Sequence, residues 1–206
     1  QLGSKPIIVH TIEKFVVNPG IDRIIVLCPK AWIAHTKDLV KKYLGEVIAE
    51  KINVVEGGST RNGTLENALK FINENFAIDD DSVIVTHRII DENIEAAKKY
   101  GACDTVIPAT DTIVRSEDSE NVSSIPTRSE LYQGQTPQSF RIKELESVLN
   151  SLTEDEKNTL TDACKIYTIK NKPVRIVDGE VFNIKITYTY DLKVANALLG
   201  VVNNDK

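Results

Sequence analysis

A chain of 206 residues is long enough for one sizeable core, because domains of ~150–300 residues bury roughly 70–75% of the surface that their unfolded chains expose. Its 41% hydrophobic and 27% charged residues are ordinary globular values and exclude wholesale disorder. Lys and Arg total 25 against 30 Asp and Glu, a net charge of −5, which argues against a nucleic-acid coat or an anionic-membrane binder and leaves room for a local basic pocket.

No apolar run approaches ~18 residues, so no membrane span is expected. The chain opens at Gln1 with no charged leader or apolar signal region, and we read its true N-terminus as missing. Pro6 suits a first helical turn, after which Ile8, Ile12, Phe15 and Val16 fall on one face. The run from Asp22 to Cys28 and then Ile52 to Val55 are short, apolar and β-branched, as buried parallel strands tend to be. Gly57-Gly58-Ser59-Thr60-Arg61-Asn62-Gly63-Thr64 follows the second of these and opens a helix whose apolar face is Leu65, Ala68, Leu69, Ile72 and Phe76. Glycines at such a bend let a backbone approach a ligand, and a helix N-terminus offers free N–H groups and partial positive charge. Ser59 and Thr64 add hydroxyls, and Arg61 could reach a phosphate or carbonyl oxygen. The pattern is neither a Walker loop nor a dinucleotide fingerprint, and by itself it is only a capped strand–helix turn.

Val83 to Thr86 is the next strand pattern, after Ser82, yet Arg88 to Ala97 already reads as helix, with only His87 between. Strand-to-helix loops usually need ~2–6 residues ending in a cap. We infer an omitted loop, which predicts a Cα separation beside His87 far above the 3.8 Å of a continuous peptide. Thr105 to Ile107 is a further strand. Residues 110–140 break the rhythm and read as a hairpin or arm inserted into the body. Thr161-Asp162-Ala163-Cys164 would pass as a helix cap. Asn183 to Thr187 looks like a short strand end, with Lys185 pointing away from Ile184 and Ile186. Leu192, Ala195, Leu199 and Val202 mark a last helix. Strands alternating with helices of this length imply right-handed βαβ units and a mostly parallel sheet. The three cysteines, Cys28, Cys103 and Cys164, read as small buried hydrophobes of a reducing, cytoplasmic compartment. His10, His35 and His87 show no metal-ligand spacing.

Six segments together carry a resemblance. Gly57-Gly58 with Arg61, Asp111-Thr112, Arg128, Gln135-Thr136-Pro137-Gln138, Thr161-Asp162-Ala163 and Asn183-Ile184-Lys185 stand in the order seen in the sugar-alcohol-phosphate cytidylyltransferases. That family includes the methylerythritol-phosphate enzyme of isoprenoid synthesis and the ribitol-5-phosphate enzyme of wall teichoic acid synthesis. The likeness runs from Lys5 to about Leu199. Leu131 to Gln138, Thr161 to Lys165 and Pro6 to Phe15 look more like the ribitol branch. Two family features are absent. One is an N-terminal strand with a glycine-rich triphosphate loop; the other is a loop after the strand at Val83, carrying a metal-binding aspartate.

The resemblance implies a single nucleotidyltransferase domain over residues 1–206, with a Rossmann-like, mostly parallel sheet flanked by helices and a dimerisation arm at 110–140. It implies transfer of CMP from CTP to D-ribitol 5-phosphate, with methylerythritol phosphate as the alternative substrate and an inert nucleotide-binding dimer module as the non-enzymatic one. Gly57, Gly58, Ser59, Arg61, Asn62 and Thr64 become nucleotide-site residues, and Arg128 and Lys185 catalytic ones. Thr112, Thr136 and Thr161 contact the polyol phosphate, with Thr112, Arg128 and Thr136 reaching a partner subunit's pocket. Mg²⁺ would arrive with CTP, and a ribulose-phosphate reductase is a possible partner.

Overall fold

The computed structural model describes residues 1–80, 82–85 and 89–204. Pro6, extended at φ −61° and ψ 146°, starts α1 (Ile7–Val16), which buries Val9 and Ile12. Strand β1 (Ile24–Cys28) follows, then α2 (Ile33–Leu44), which ends where Gly45 takes φ +82°. The short α3 (Glu46–Ala49) leads into β2 (Ile52–Glu56), whose Ile52 and Val54 are buried. Helix α4 (Arg61–Asn75) is capped by Thr60, which accepts a hydrogen bond from the Gly63 N–H at 3.0 Å and so satisfies one orphan donor of the first turn. Next come β3 (Val83–Val85) and α5 (Ile90–Tyr100), the latter closed by Gly101 at φ +88°. Strand β4 (Ala102–Pro108) and strand β5 (Tyr132–Arg141) flank the irregular segment 109–131. The chain ends with α6 (Ile142–Asn150), α7 (Glu154–Asn158), α8 (Cys164–Ile169), β6 (Arg175–Asp178) and α9 (Thr189–Asn204).

The α/β class holds, with helices flanking parallel strands. Strand β1 pairs parallel with β2 from Ile24–Ile52 to Cys28–Glu56, and β4 pairs parallel with β6. The second sheet runs β3-β5-β4-β6, and β5 is antiparallel to both neighbours. Here the segment expected as one arm over 110–140 divides. Residues 110–131 project from the body, whereas Tyr132–Arg141 returns as an inner strand with Pro137, Gln138, Ser139 and Phe140 buried in succession. Burial on both faces is the mark of a central strand.

The main core lies between this sheet and α4, α6 and α8, where Leu145 and Ile166 are fully buried and Tyr167 stacks on Phe140 at 5.4 Å between centroids. A smaller cluster of Ile12, Val40, Ile52 and Val54 serves the two-stranded sheet. Among the described residues, β1 pairs only with β2 and β3 only with β5. A cleft of about 1680 Å³ reaches from the half-buried β1 to α4, Phe140 and the segment around Lys185. The expected break beside His87 lies outside the described residues. No described helix is long and apolar enough to cross a membrane. Two of the cysteines, Cys103 and Cys164, are buried free thiols and Cys28 is half-buried, as their spacing suggested.

Candidate active site

The bend between β2 and α4 forms one wall of the cleft. Gly58 is glycine because a Cβ there would run into the backbone of Gly63 and Thr64. The close approach is therefore to the helix's own first turn, where the sequence had suggested a ligand. Thr64 is similarly committed: its hydroxyl accepts from the Gly58 N–H at 3.0 Å and lies 2.9 Å from the Thr60 carbonyl, to which it can donate. Asn62 donates to the Lys157 carbonyl at 2.9 Å, tying α4 to α7. Ser59 and Arg61 stay exposed. The Arg61 guanidinium donates to the Thr161 carbonyl at 3.4 Å and stands 4.0 Å from Asp162.

Asp162 joins this wall to β5. Its Oδ1 accepts from the Cys164 N–H at 2.9 Å, and both oxygens accept from Gln138 Nε2 at 2.8 Å. Thr161-Asp162-Ala163 does start a helix, as its cap-like sequence suggested, but Asp162 also bridges sideways. The same Gln138 nitrogen lies 3.1 Å from Asp104 Oδ1. Burial pushes the Asp104 carboxyl up to about 6; the Gln138 hydrogen bond opposes that rise and the Asp162 charge adds to it. Asp104 had no sequence-level role. The signal that could have marked it is an acid inside the otherwise apolar Ala102–Pro108 strand.

The opposite wall is the segment before α9. Residues 183–187 form no strand, against expectation. Their backbone joins no ladder; instead Gln135 holds the preceding turn, donating to the carbonyls of Glu180 at 2.8 Å and Asn183 at 3.2 Å. Asn183 in turn donates to the Thr136 carbonyl at 2.6 Å. Ile184, Lys185 and Ile186 all line the cleft, so they are not divided between two faces as strand alternation required. Lys185 is exposed and makes no ion pair among the described residues.

One cleft thus brings together Arg61, Asn62, Thr64, Thr136 and Lys185, with Thr161 at its rim through Arg61. Gly57, Gly58 and Ser59 sit behind that wall in the bend. Thr112 and Arg128 are elsewhere: both are exposed in the 109–131 segment, where the Arg128 guanidinium donates to the Thr110 carbonyl at 3.1 Å. That segment is pinned by an Arg115–Ser124 bridge and by Asp118, whose carboxyl is held well below its ordinary range by hydrogen bonds from Asn121 and Glu120. It leaves Ile113, Val114, Val122 and Ile125 exposed.

Asp104, Asp162 and Cys164 place one candidate metal-ligand atom each within 4.8 Å of one another. They do not fit Mg²⁺, which demands oxygen ligands in near-ideal octahedral geometry. The Cys164 thiol is held protonated by burial, and the Gln138 amide already donates into both carboxylates. His10 contacts the Leu2 carbonyl at 2.8 Å and His35 packs edge-on against Trp32, while His87 lies outside the described residues.

Comparison with known proteins places this geometry among relatives. A family model described as 2-C-methyl-D-erythritol 4-phosphate cytidylyltransferase (IspD) matches residues 1–201. The crystal structure of 4-diphosphocytidyl-2C-methyl-D-erythritol synthase from Anaerococcus prevotii is similar, with 27% identity and a TM-score of 0.79 over 97% of this chain and 88% of that one. The Francisella tularensis 2-C-methyl-D-erythritol 4-phosphate cytidylyltransferase gives 26% identity and a TM-score of 0.77, covering 95% of this chain and 89% of the other. The bifunctional IspDF of Campylobacter jejuni shares the fold at 23% identity and a TM-score of 0.62, over 89% of this chain and 44% of that protein.

Proposed function

Since the chain belongs to the 2-C-methyl-D-erythritol 4-phosphate cytidylyltransferase family and is therefore a nucleotidyltransferase, we propose that it transfers CMP from CTP to D-ribitol 5-phosphate. The products are CDP-ribitol and pyrophosphate. An oxygen of the polyol phosphate attacks the α-phosphorus of CTP in line; the bond from that phosphorus to the bridging oxygen of the β-phosphate breaks, and pyrophosphate leaves with the electron pair. Such chemistry asks little covalent work of a protein. It rests on positioning and on neutralising charge. The observation that carries the reading is a single cleft lined by Arg61 at a helix N-terminus and by Lys185, whose ammonium makes no ion pair among the described residues. Arg61 and the bend at Gly57–Thr64 take the nucleotide, and Lys185 takes the attacking phosphate as a point charge.

The Asp104, Asp162 and Cys164 cluster does not fit Mg²⁺; in our reading the ion would come with CTP and would supply neutralisation of phosphate charge. The choice of ribitol rests on the wording of Leu131 to Gln138, Thr161 to Lys165 and Pro6 to Phe15. The family's own description favours methylerythritol phosphate as the second reading. We also assign residues 110–131 to a homodimer contact that carries Thr112 and Arg128 to the partner's cleft. Four exposed aliphatic side chains on a segment with one isolated bridge support this, since a two-stranded arm is marginal in water. A reductase making ribitol 5-phosphate is the matching supplier, and wall teichoic acid the destination.

Pyrophosphate release from CTP, assayed with each polyol phosphate in turn, tests the assignment. Turnover with ribitol 5-phosphate and little with methylerythritol phosphate is the expected result. The reverse preference would give the chain to the isoprenoid branch.

A further inference from the structure

The two glutamines of Gln135-Thr136-Pro137-Gln138 have no part in the reaction as described, yet each makes an unusually complete set of contacts to a different wall of the cleft. Gln135 uses its whole amide. Its Nε2 donates to the carbonyls of Glu180 and Asn183, and its Oε1 accepts from the Glu180 N–H at 3.2 Å and from Asn183 Nδ2 at 3.4 Å. A Cβ on Gly179 would strike Gln135 Oε1, so the turn is shaped to receive this side chain. Residues 183–187 have no strand ladder of their own. The turn that leads the backbone into Lys185 is therefore tied to β5 by the Gln135 amide, with Asn183 adding a bond to the Thr136 carbonyl. Gln138 acts toward the other wall. It holds both oxygens of Asp162, which faces Arg61, while Arg61 also reaches the Thr161 carbonyl.

We propose that Gln135 and Gln138 are positioning residues that fix the spacing between the wall carrying Lys185 and the wall carrying Arg61. The proposal rests on the reading of the cleft as a CMP-transfer site. Its physical basis is the cost of misplacement, for a displacement of about 1 Å from a near-attack geometry can cost on the order of 10²-fold in rate. Both amides point from one strand whose neighbouring side chains, Pro137, Ser139 and Phe140, are buried, so the strand is a rigid base for two otherwise irregular walls.

Gln135→Leu and Gln138→Leu, with Gln133→Leu on the same strand as control, separate the two halves. Gln135→Leu should raise the KM for the polyol phosphate about tenfold and lower kcat about tenfold, with CTP affinity measured by calorimetry unchanged. Gln138→Leu should weaken CTP binding by about tenfold. Amide exchange should quicken at residues 180–186 in the first variant and at 57–64 and 160–164 in the second. Should a leucine variant fail to fold, Asn183→Ala and Asp162→Ala replace it, each removing a partner instead of the glutamine. Wild-type kinetics together with unchanged exchange in either variant would overturn the proposal, and so would a uniform loss of melting temperature with no split between KM and CTP affinity. Failure of the functional reading looks different: the wild-type protein would release no pyrophosphate with either polyol phosphate. The exchange pattern would then still decide whether the glutamines hold the two walls.

Discussion

Two polar clusters lie on either side of β4 and β5, and they are built on opposite terms. On the α5 side, Asn93 is fully buried: it donates to Thr105 Oγ1 at 2.9 Å and to the Ile89 carbonyl at 3.1 Å, and accepts from Ser139 Oγ at 3.1 Å and Cys103 Sγ at 3.3 Å. Each member is neutral, and each has its partner in a dry site. On the cleft side, Gln138 gathers two carboxylates around one amide nitrogen, and Arg61 stands 4.0 Å from one of them, half in water. A satisfied neutral network specifies packing, whereas charge left incompletely matched at an open wall is available to a ligand. The first cluster should answer to stability measurements and the second to kinetics.

The largest expected effect tests the buried side. Asn93→Ala would leave the Thr105 and Ser139 hydroxyls without this partner, and each unsatisfied buried group costs about 1–3 kcal/mol. We expect a loss of about 3 kcal/mol in urea unfolding at an unchanged KM for both substrates in the protein that remains folded. A loss below about 1 kcal/mol would mean that water or rearrangement satisfies these groups and that the two clusters do not differ as argued.

The kinetic side comes next. Lys185→Ala and Arg128→Ala remove exposed cations, and surface substitutions usually shift stability by only about ±0.5 kcal/mol. Turnover should fall on the order of 10²-fold, or roughly 2.7 kcal/mol of barrier. If Arg128 serves the partner's cleft, mixing the two variants should restore activity in the dimers that hold one intact site. Mixed dimers as inactive as either parent, after verified subunit exchange, would refute the shared site. Near-native turnover in both single variants would remove the catalytic assignments.

Most of the fold could be read from the sequence because its strands declare themselves. Ile24–Cys28 and Ile52–Glu56 are apolar and β-branched, and the faces of α1 and α4 repeat at helical spacing. Strand β5 was hidden. Tyr-Gln-Gly-Gln-Thr-Pro-Gln-Ser is a loop by composition, and its polar residues can be buried only because partners arrive from 24, 34 and 46 positions away: Asp162, Asp104 and Asn93. No local pattern announces such pairings. The same holds for the segment around Lys185, whose alternation with two isoleucines suggested a strand although the turn before it is held by Gln135, 45 and 48 positions from its partners Glu180 and Asn183. Arg61 and the bend were legible as a helix N-terminus. What local pattern could not say was that Thr64 and Gly58 serve the bend itself and that Asn62 ties α4 to α7.

The smallest expected effect is a pH dependence at the meeting point of the two clusters. Asp104 sits on β4 between them, with its carboxyl raised by burial from 3.8 to about 6. Native protein therefore holds this proton more tightly than unfolded chain, and between pH ~4 and ~6 it binds more protons than the unfolded state. Stability must then fall as pH rises through that window, and above pH ~6 the ionised group is a standing cost. The full linkage for two pKa units would approach 3 kcal/mol. Partial solvation and the Gln138 hydrogen bond, which an asparagine oxygen would keep in weaker form, reduce the expected net to about 1 kcal/mol. Asp104→Asn should accordingly be more stable than the wild type at pH 8 by about that amount, and the advantage should vanish by pH 4, where both side chains are neutral. Thermal unfolding across this range reads the difference directly. An advantage that stays constant with pH would assign it to packing instead of charge, and a variant less stable at pH 8 would show that the carboxylate is matched by its neighbours more fully than the geometry around Gln138 indicates.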